Sequence, residues 1–149
     1  MPHVMIAVSP YYTEVANHLL DGTKAALKDR KCTYETFEVP GALELPLAIK
    51  LGASRKEGRG TDGRKFDAFI AIGCVIRGET SHYDIVCEES ARGLSRLALD
   101  YNLPIGNAIL TCDTMEQAVV RADPAQKNKG KDAVDAALGL FDLSRELLR

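Results

Sequence analysis

The chain opens with Val4-Met5-Ile6-Ala7-Val8, an unbroken apolar run that Ser9-Pro10 closes. Short continuous runs of this kind are typical of strands buried on both faces of a parallel sheet. Over residues 13–27, Val15, Leu19, Thr23, Ala26 and Leu27 fall at helical spacing. Residues 33–39 are β-branched and aromatic but mixed in polarity, the pattern of an edge strand. Pro40-Gly41 turns the chain, and residues 42–51 suit a helix with Pro46 in its first turn, where the missing N–H costs little. Residues 54–65 are charged and Gly-rich without apolar period, and predict a solvated surface connection. Within residues 66–75, Phe69-Ile70-Ala71-Ile72 predicts a third strand, with Gly73 at its end. Thr80 or Ser81 can cap the helix that follows, whose stripe is Tyr83, Val86, Cys87, Ser90, Leu94 and Leu97. Leu103-Pro104 ends that unit. Residues 105–110 read as a fourth strand, and residues 115–122 as a short helix stopped by Asp123-Pro124. The last helix, over residues 131–148, carries two adjacent stripes, Val134-Leu138-Phe141 and Ala133-Ala137-Leu140-Leu147. That face is broad enough to cover a sheet and also touch a neighbour.

The resulting order, β-α-β-α-β-α-β-α-α without internal repeat, predicts a parallel sheet covered on both faces. Ligands of such sheets gather outside the carboxyl ends of the strands. Here those ends are residues 9–12, 39–44, 73–82 and 111–114.

Composition narrows the picture. A chain of 149 residues fits one domain, 1–149, able to bury a core without disulfides or metal. Hydrophobic residues make up 46% and charged residues 27%, with a formal net charge of −2, so nothing in the total points to nucleic acid. No apolar run approaches the ~20 residues of a membrane helix, and residues 1–8 are too short and uncharged for a secretory signal. Cys32, Cys74, Cys87 and Cys112 show neither C-x-x-C spacing nor regularity. They read as small, partly buried apolar residues in a reducing compartment rather than a zinc or redox site. The expected location is cytoplasmic, with no metal, nucleic acid or membrane as partner.

The strongest chemical signal is Gly73-Cys74-Val75-Ile76-Arg77-Gly78-Glu79-Thr80-Ser81-His82-Tyr83-Asp84. It joins a strand end, a glycine-bearing turn, two hydroxyl residues and a helix start, and a helix N-terminus offers unpaired N–H groups to an anion. Thr80 and Ser81 can add hydroxyl donors or simply cap the helix. The segment is not a Walker A loop, because no lysine follows the glycine at the required place. His82 falls in the first helical turn, beside that anion site, and an imidazole can pass protons either way near neutrality. His3, at a strand start, and His18, within a helix, read as structural.

This segment resembles the signature of the lumazine synthase family, which carries out the penultimate step of riboflavin biosynthesis. Val39-Pro40-Gly41-Ala42-Leu43-Glu44-Leu45-Pro46, Met115-Glu116-Gln117-Ala118-Val119-Val120-Arg121-Ala122, Asn128-Lys129-Gly130 and Leu19-Leu20-Asp21-Gly22 are similar to further family segments, in order along nearly the whole chain. The resemblance implies a flavodoxin-like, three-layer α/β/α sandwich with a four-stranded parallel sheet. It implies a pentamer, in some relatives stacked into decamers or closed into sixty-subunit shells, with active sites between neighbouring subunits. The implied substrates are small molecules, 5-amino-6-(D-ribitylamino)uracil and 3,4-dihydroxy-2-butanone 4-phosphate. No metal or organic cofactor is implied, and riboflavin synthase is a candidate partner.

Residue by residue, the resemblance assigns Tyr11 to stacking on the pyrimidine, where Phe or Trp is usual; Tyr12 is the weaker candidate. Gly41, Ala42 and Glu44 match the segment holding the uracil and ribityl chain. Val75 and Ile76 match ring contacts, and Asn107 falls where some relatives place Phe at the subunit contact. Gly78, Glu79, Thr80 and Ser81 match the phosphate loop. Arg121 is expected to close it from the adjacent subunit, and Lys129 to support the reacting groups from there. His82 is the expected proton carrier. Taken without the resemblance, Val75 and Ile76 read as core, Arg121 as a solvated helix-end residue and Glu44 as a first-turn carboxylate. Two other functions fit the fold class: a flavin- or lumazine-binding protein without turnover, and a flavodoxin-like electron carrier. Retention of His82, Arg121 and Lys129 argues against the first. Ser9-Pro10-Tyr11-Tyr12, which lacks a Gly-rich phosphate turn, argues against the second.

Overall fold

A computed structural model describes residues 1–56 and 63–148. Four strands, β1 (His3–Val8), β2 (Thr33–Glu38), β3 (Ala68–Ile76) and β4 (Ile105–Cys112), form one all-parallel sheet in the order β2-β1-β3-β4. Five α-helices connect and cover it: α1 (Thr13–Asp29), α2 (Leu45–Ala53), α3 (His82–Tyr101), α4 (Met115–Ala122) and α5 (Lys129–Leu147). This is the three-layer α/β/α arrangement that the alternating pattern predicts, with β2 at an edge.

The period-2 alternation of a strand explains the two cores. Val4, Ile6 and Val8 of β1, with Ile70 and Ile72 of β3 and Ala108 and Leu110 of β4, pack with Val15, Leu19, Ala118, Val134 and Ala137. These helical residues belong to α1, α4 and α5. The intervening Met5, Ala7, Phe69 and Ala71 point the other way, against Leu45 and Ile49 of α2 and Val86, Leu94 and Leu97 of α3. Both faces are covered, so the inner strands β1 and β3 are apolar, while the edge strands β2 and β4 carry exposed polar positions.

Several boundaries differ from expectation. Gly73 does not end β3: the strand pairs with β4 as far as Ile76↔Cys112. Gly73 is instead a point of close packing, since a Cβ there would lie 3.2 Å from Leu45 Cδ1. The helix expected over residues 42–51 splits into a 3-10 turn, Ala42–Glu44, and α2, with Pro46 in the first turn. The last helix starts at Lys129, earlier than the stripe predicts, with Asn128 at its N-cap position in a left-handed conformation and without a side-chain cap bond. Within α5, Ala133, Val134, Ala137 and Leu138 are buried while Leu140 and Leu147 are exposed. The middle of the 54–65 connection lies outside the described residues, and its ends are not simply solvated. Arg55 forms a two-pronged pair with Glu35 at 2.7 and 2.9 Å and stacks on Phe66, while Arg64 reaches Thr33 Oγ1 and the Met1 carbonyl. His3 is buried as a structural residue, bonded to Thr33 and Glu35. No helix among the described residues is long and apolar enough to cross a membrane.

Candidate active site

The carboxyl ends of β1, β2 and β3 surround a cavity of about 400 Å³. Short bonds fix its walls. Ser9 N–H donates to the Ile72 carbonyl at 2.9 Å, and Ser9 Oγ–H donates to the Pro40 carbonyl at 3.2 Å, tying the end of β1 to β3 and to the turn after β2. Gly41 is extended and enters the 3-10 turn, which Glu44 N–H closes by donating to the Gly41 carbonyl at 3.2 Å. The Glu44 carboxylate folds back over the side-chain-free face of Gly41: a Cβ there would lie 3.2 Å from Oε1. Proline and glycine thus let the backbone, rather than side chains, line this wall.

Of the residues that the sequence resemblance selects, Tyr11, Gly41, Ala42, Glu44, Val75, Ile76, Gly78, Thr80 and His82 line this one cavity. Tyr11 is 75% exposed and meets Tyr12 edge-on at 5.0 Å, so one ring face is open to a planar ligand. Val75 and Ile76 are partly buried at the end of β3, giving the floor an apolar character. Gly78 and Thr80 form the opposite wall. Thr80 Oγ1 accepts the His82 backbone N–H at 3.3 Å, whereas Ser81, at the N-cap position of α3, makes no side-chain cap bond. The start of α3 therefore brings the exposed His82 to the cavity, while its own N–H is taken by Thr80 and the Asp84 N–H donates to the Ser81 carbonyl at 3.0 Å.

Glu79 and Ser81 are in the loop but off the cavity wall. Asn107, Arg121 and Lys129 also lie outside it. Asn107 sits in the middle of edge strand β4, where its Oδ1 accepts the Ile109 N–H at 2.8 Å. Arg121 closes α4, donating from Nη1 to the Gln117 carbonyl at 3.0 Å, and Lys129 pairs with Asp132 at 3.3 Å. Helix α4 itself is held by a capping box between Thr114 and Gln117.

The sequence reading missed part of the wall. Ser9, Pro40, Leu43, Cys74, Tyr83 and Val86 also line the cavity. Cys74 and Tyr83 lie within the Gly73 to Asp84 signal but carry no assigned role there, and Val86 reads only as a helix-stripe residue. Burial, reinforced by nearby Cys112, pushes the Cys74 thiol up to about 12. Burial, then hydrogen bonding with Cys87, raises the Tyr83 hydroxyl. Burial, then Tyr11, raises that of Tyr12. All three are therefore neutral, weakly polar wall groups at neutral pH. The four cysteines are free thiols, and among the described residues no cluster of His, Cys, Asp and Glu is suited to hold a metal ion.

A half-open cavity with one stacking ring, a backbone-rich wall, a carboxylate, and an imidazole beside a helix N-terminus suits a planar polar heterocycle next to a small anion. Comparison with known proteins agrees in sequence over the whole fold. The family model described as 6,7-dimethyl-8-ribityllumazine synthase matches residues 2–145. A protein of that name from Agrobacterium fabrum is 45% identical over 146 residues, covering 98% of this chain and 97% of the relative. Its namesake from Methylorubrum populi is 47% identical over 144 residues, covering 95% and 82%. A third, from Zymomonas mobilis, is 45% identical over 147 residues, covering 99% of each. A family match over residues 2–145 and relatives 45–47% identical over nearly the whole chain leave one conclusion: this chain belongs to the 6,7-dimethyl-8-ribityllumazine synthase family.

Proposed function

We propose that the protein condenses 5-amino-6-(D-ribitylamino)uracil with 3,4-dihydroxy-2-butanone 4-phosphate, giving 6,7-dimethyl-8-ribityllumazine, phosphate and water. The observation that carries this reading is the convergence of Tyr11, Gly41, Ala42, Glu44, Val75, Ile76, Gly78, Thr80 and His82 on one cavity at the carboxyl ends of three strands. In the reading, Tyr11 stacks on the pyrimidine, Glu44 accepts hydrogen bonds from ribityl hydroxyls, and Gly78 to Ser81 at the head of α3 take the phosphate. The uracil's primary amine attacks the ketone, and the carbinolamine loses water to an imine. Elimination then expels phosphate, and ring closure with loss of a second water completes the product. Each stage moves a proton, and His82 is the group beside the cavity able to take one up and return it. Holding two substrates side by side supplies much of the remaining rate.

We further infer that the working unit is a homopentamer in the cytoplasm, with Arg121 and Lys129 of one copy serving the cavity of the next; stacking to a decamer or a sixty-subunit shell is compatible with this. Support comes from the position of both cations off their own chain's cavity, and from Leu43, Leu47 and Leu51, three exposed leucines at steps of four, the first of them on the cavity wall. Guanidinium offers a planar fork suited to phosphate oxygens. Riboflavin synthase would consume the product. The test is to mix both substrates with the purified protein and follow lumazine fluorescence. Turnover is the expected result; binding of the product without turnover would leave a lumazine-binding protein instead.

A further inference from the structure

Two segments singled out in the sequence, Leu19-Leu20-Asp21-Gly22 and Asn128-Lys129-Gly130, take no part in the cavity, yet they meet. A Cβ at Gly130 would lie 2.5 Å from the Leu19 carbonyl oxygen and 2.9 Å from the Thr23 backbone nitrogen. A Cβ at Gly22 would lie 2.2 Å from Asn128 Oδ1. The first turn of α5 therefore seats directly on the backbone of α1, and the Asn128 carboxamide seats on Gly22. Backbone atoms in mid-helix cannot give way, so only glycine is accommodated at 130.

Asn128 occupies the left-handed region at φ 49 and ψ 55, while its N–H donates to the Asp123 carbonyl at 3.1 Å. Lys127 N–H donates to the Val120 carbonyl at 3.1 Å. These bonds make α4, the turn and the head of α5 one rigid hairpin between Arg121 and Lys129. Thr23 Oγ1 and Asn128 Oδ1 are buried with no hydrogen-bond partner among the described residues. Unmet buried oxygens and a left-handed non-glycine residue both cost stability, and such costs cluster where geometry is fixed for a purpose other than packing.

We propose that Gly22, Thr23, Asn128 and Gly130 are positioning residues: a joint of α1 with α5 that sets the spacing and aim of Arg121 and Lys129 toward the sugar phosphate held by a neighbouring copy. The proposal rests on the reading, given above, that those two cations serve a neighbouring copy's cavity, Arg121 at its sugar phosphate and Lys129 beside the reacting groups. A joint of this kind acts on one substrate only, whereas ordinary packing would act on the whole enzyme.

Steady-state kinetics on the assembled full-length enzyme, with each substrate titrated separately, tests it. Asn128→Gly keeps the left-handed backbone and removes the carboxamide. It is expected to raise KM for the four-carbon sugar phosphate about tenfold while KM for the ribitylaminouracil stays within about twofold. Gly22→Ala, whose added methyl overlaps the carboxamide, should show the same selective rise. The double variant should match Asn128→Gly alone, because the overlap is gone. Should Gly22→Ala fail to fold, Asn128→Gly decides the matter. A sugar-phosphate KM within about twofold of wild type in Asn128→Gly, or equal rises for both substrates, overturns the proposal. Arg121→Ala separates the two levels. If it too leaves that KM unchanged, the role of Arg121 fails and the joint's purpose with it. If it raises KM while Asn128→Gly does not, the joint alone fails.

Discussion

The guanidinium of Arg77 lies 4.3 Å from the centre of the Tyr83 ring, and the same group donates from Nε to Asp113 Oδ1 at 2.8 Å. Asp84 Oδ1 is 3.7 Å from its Nη1, and the Arg77 N–H donates to the Cys112 carbonyl at 2.9 Å. One side chain thus joins the end of β3, the β4–α4 turn and the first turn of α3. Tyr83, which it covers, lines the cavity directly after His82. Although Arg77 adjoins the proposed phosphate loop, two carboxylates already face it, which makes it a poor seat for a phosphate dianion. Arg77→Met is expected to lower kcat about threefold, by loosening Tyr83 and His82, with KM for the sugar phosphate within about twofold of wild type. A large rise in that KM would make Arg77 a phosphate ligand after all.

His82 and Arg121 should separate in the same assay. General acid–base catalysis contributes roughly 10²–10⁴-fold in enzymes where one group dominates. Here juxtaposition of two substrates carries much of the rate, so His82→Ala is expected to slow turnover about 10- to 100-fold without abolishing it. Arg121→Ala should instead raise KM for the sugar phosphate, on the order of tenfold, with a smaller change in kcat. Unchanged sugar-phosphate KM in Arg121→Ala contradicts its assigned role.

The sheet was legible in the sequence because burial on both faces makes the inner strands β1 and β3 apolar, as in Val4 to Val8 and Phe69 to Ile72, while β2, at an edge, is free to be mixed. Gly73 misled for the opposite reason. Glycine usually signals a turn, but here it serves packing against Leu45, a contact distant in sequence. The left-handed backbone of Asn128 was unreadable for a related reason, since the residue stands in the α4–α5 turn, where its N–H donates to the Asp123 carbonyl at 3.1 Å, and makes no side-chain cap. Nine of the candidate residues fall on one cavity because their motifs occupy strand ends, where topology alone brings them together. Tyr83 and Cys74 share the Gly73 to Asp84 motif, but nothing in the pattern told that their side chains face the cavity, since one also belongs to a helix stripe and the other to β3. Arg121, Lys129 and Asn107 pose a different limit: they lie off this cavity, and the role proposed for the two cations needs a second copy, whose placement no pattern within one chain gives.

Cys74 makes a prediction about pH. Its thiol is pushed up to about 12 in the fold, against roughly 8.5 in an unfolded chain. Protonated thiol is the form the fold prefers. That preference contributes stability which is fully present below the unfolded value and is lost as pH rises toward the folded one. Tyr12, Tyr83, Cys32, Cys87 and Cys112 are raised in the same direction, each chiefly by burial. The thermal midpoint should therefore fall steadily from about pH 9 upward, and less steeply in Cys74→Ala. Iodoacetamide at pH 8 should modify Cys74 slowly despite its place on the cavity wall, since only about one thiol in 10⁴ is ionised there. Rapid alkylation, resolved by peptide mass analysis, would contradict this assignment.

Mixed assemblies give the most direct view of the shared site. Each cavity is proposed to take His82 from one copy and Arg121 from its neighbour. An assembly of His82→Ala chains, or of Arg121→Ala chains, then has every site damaged. Refolding the two variants together at equal amounts places an intact His82 beside an intact Arg121 in about a quarter of the sites, if copies combine at random around a cyclic ring. Turnover at low sugar phosphate, where both defects are felt, should recover to about a quarter of wild type. If Arg121 instead served its own chain's cavity, every chain in the mixture would still carry one lesion. Activity would then stay at the mean of the two variants however they were mixed, so the rise above that mean is the quantity to measure.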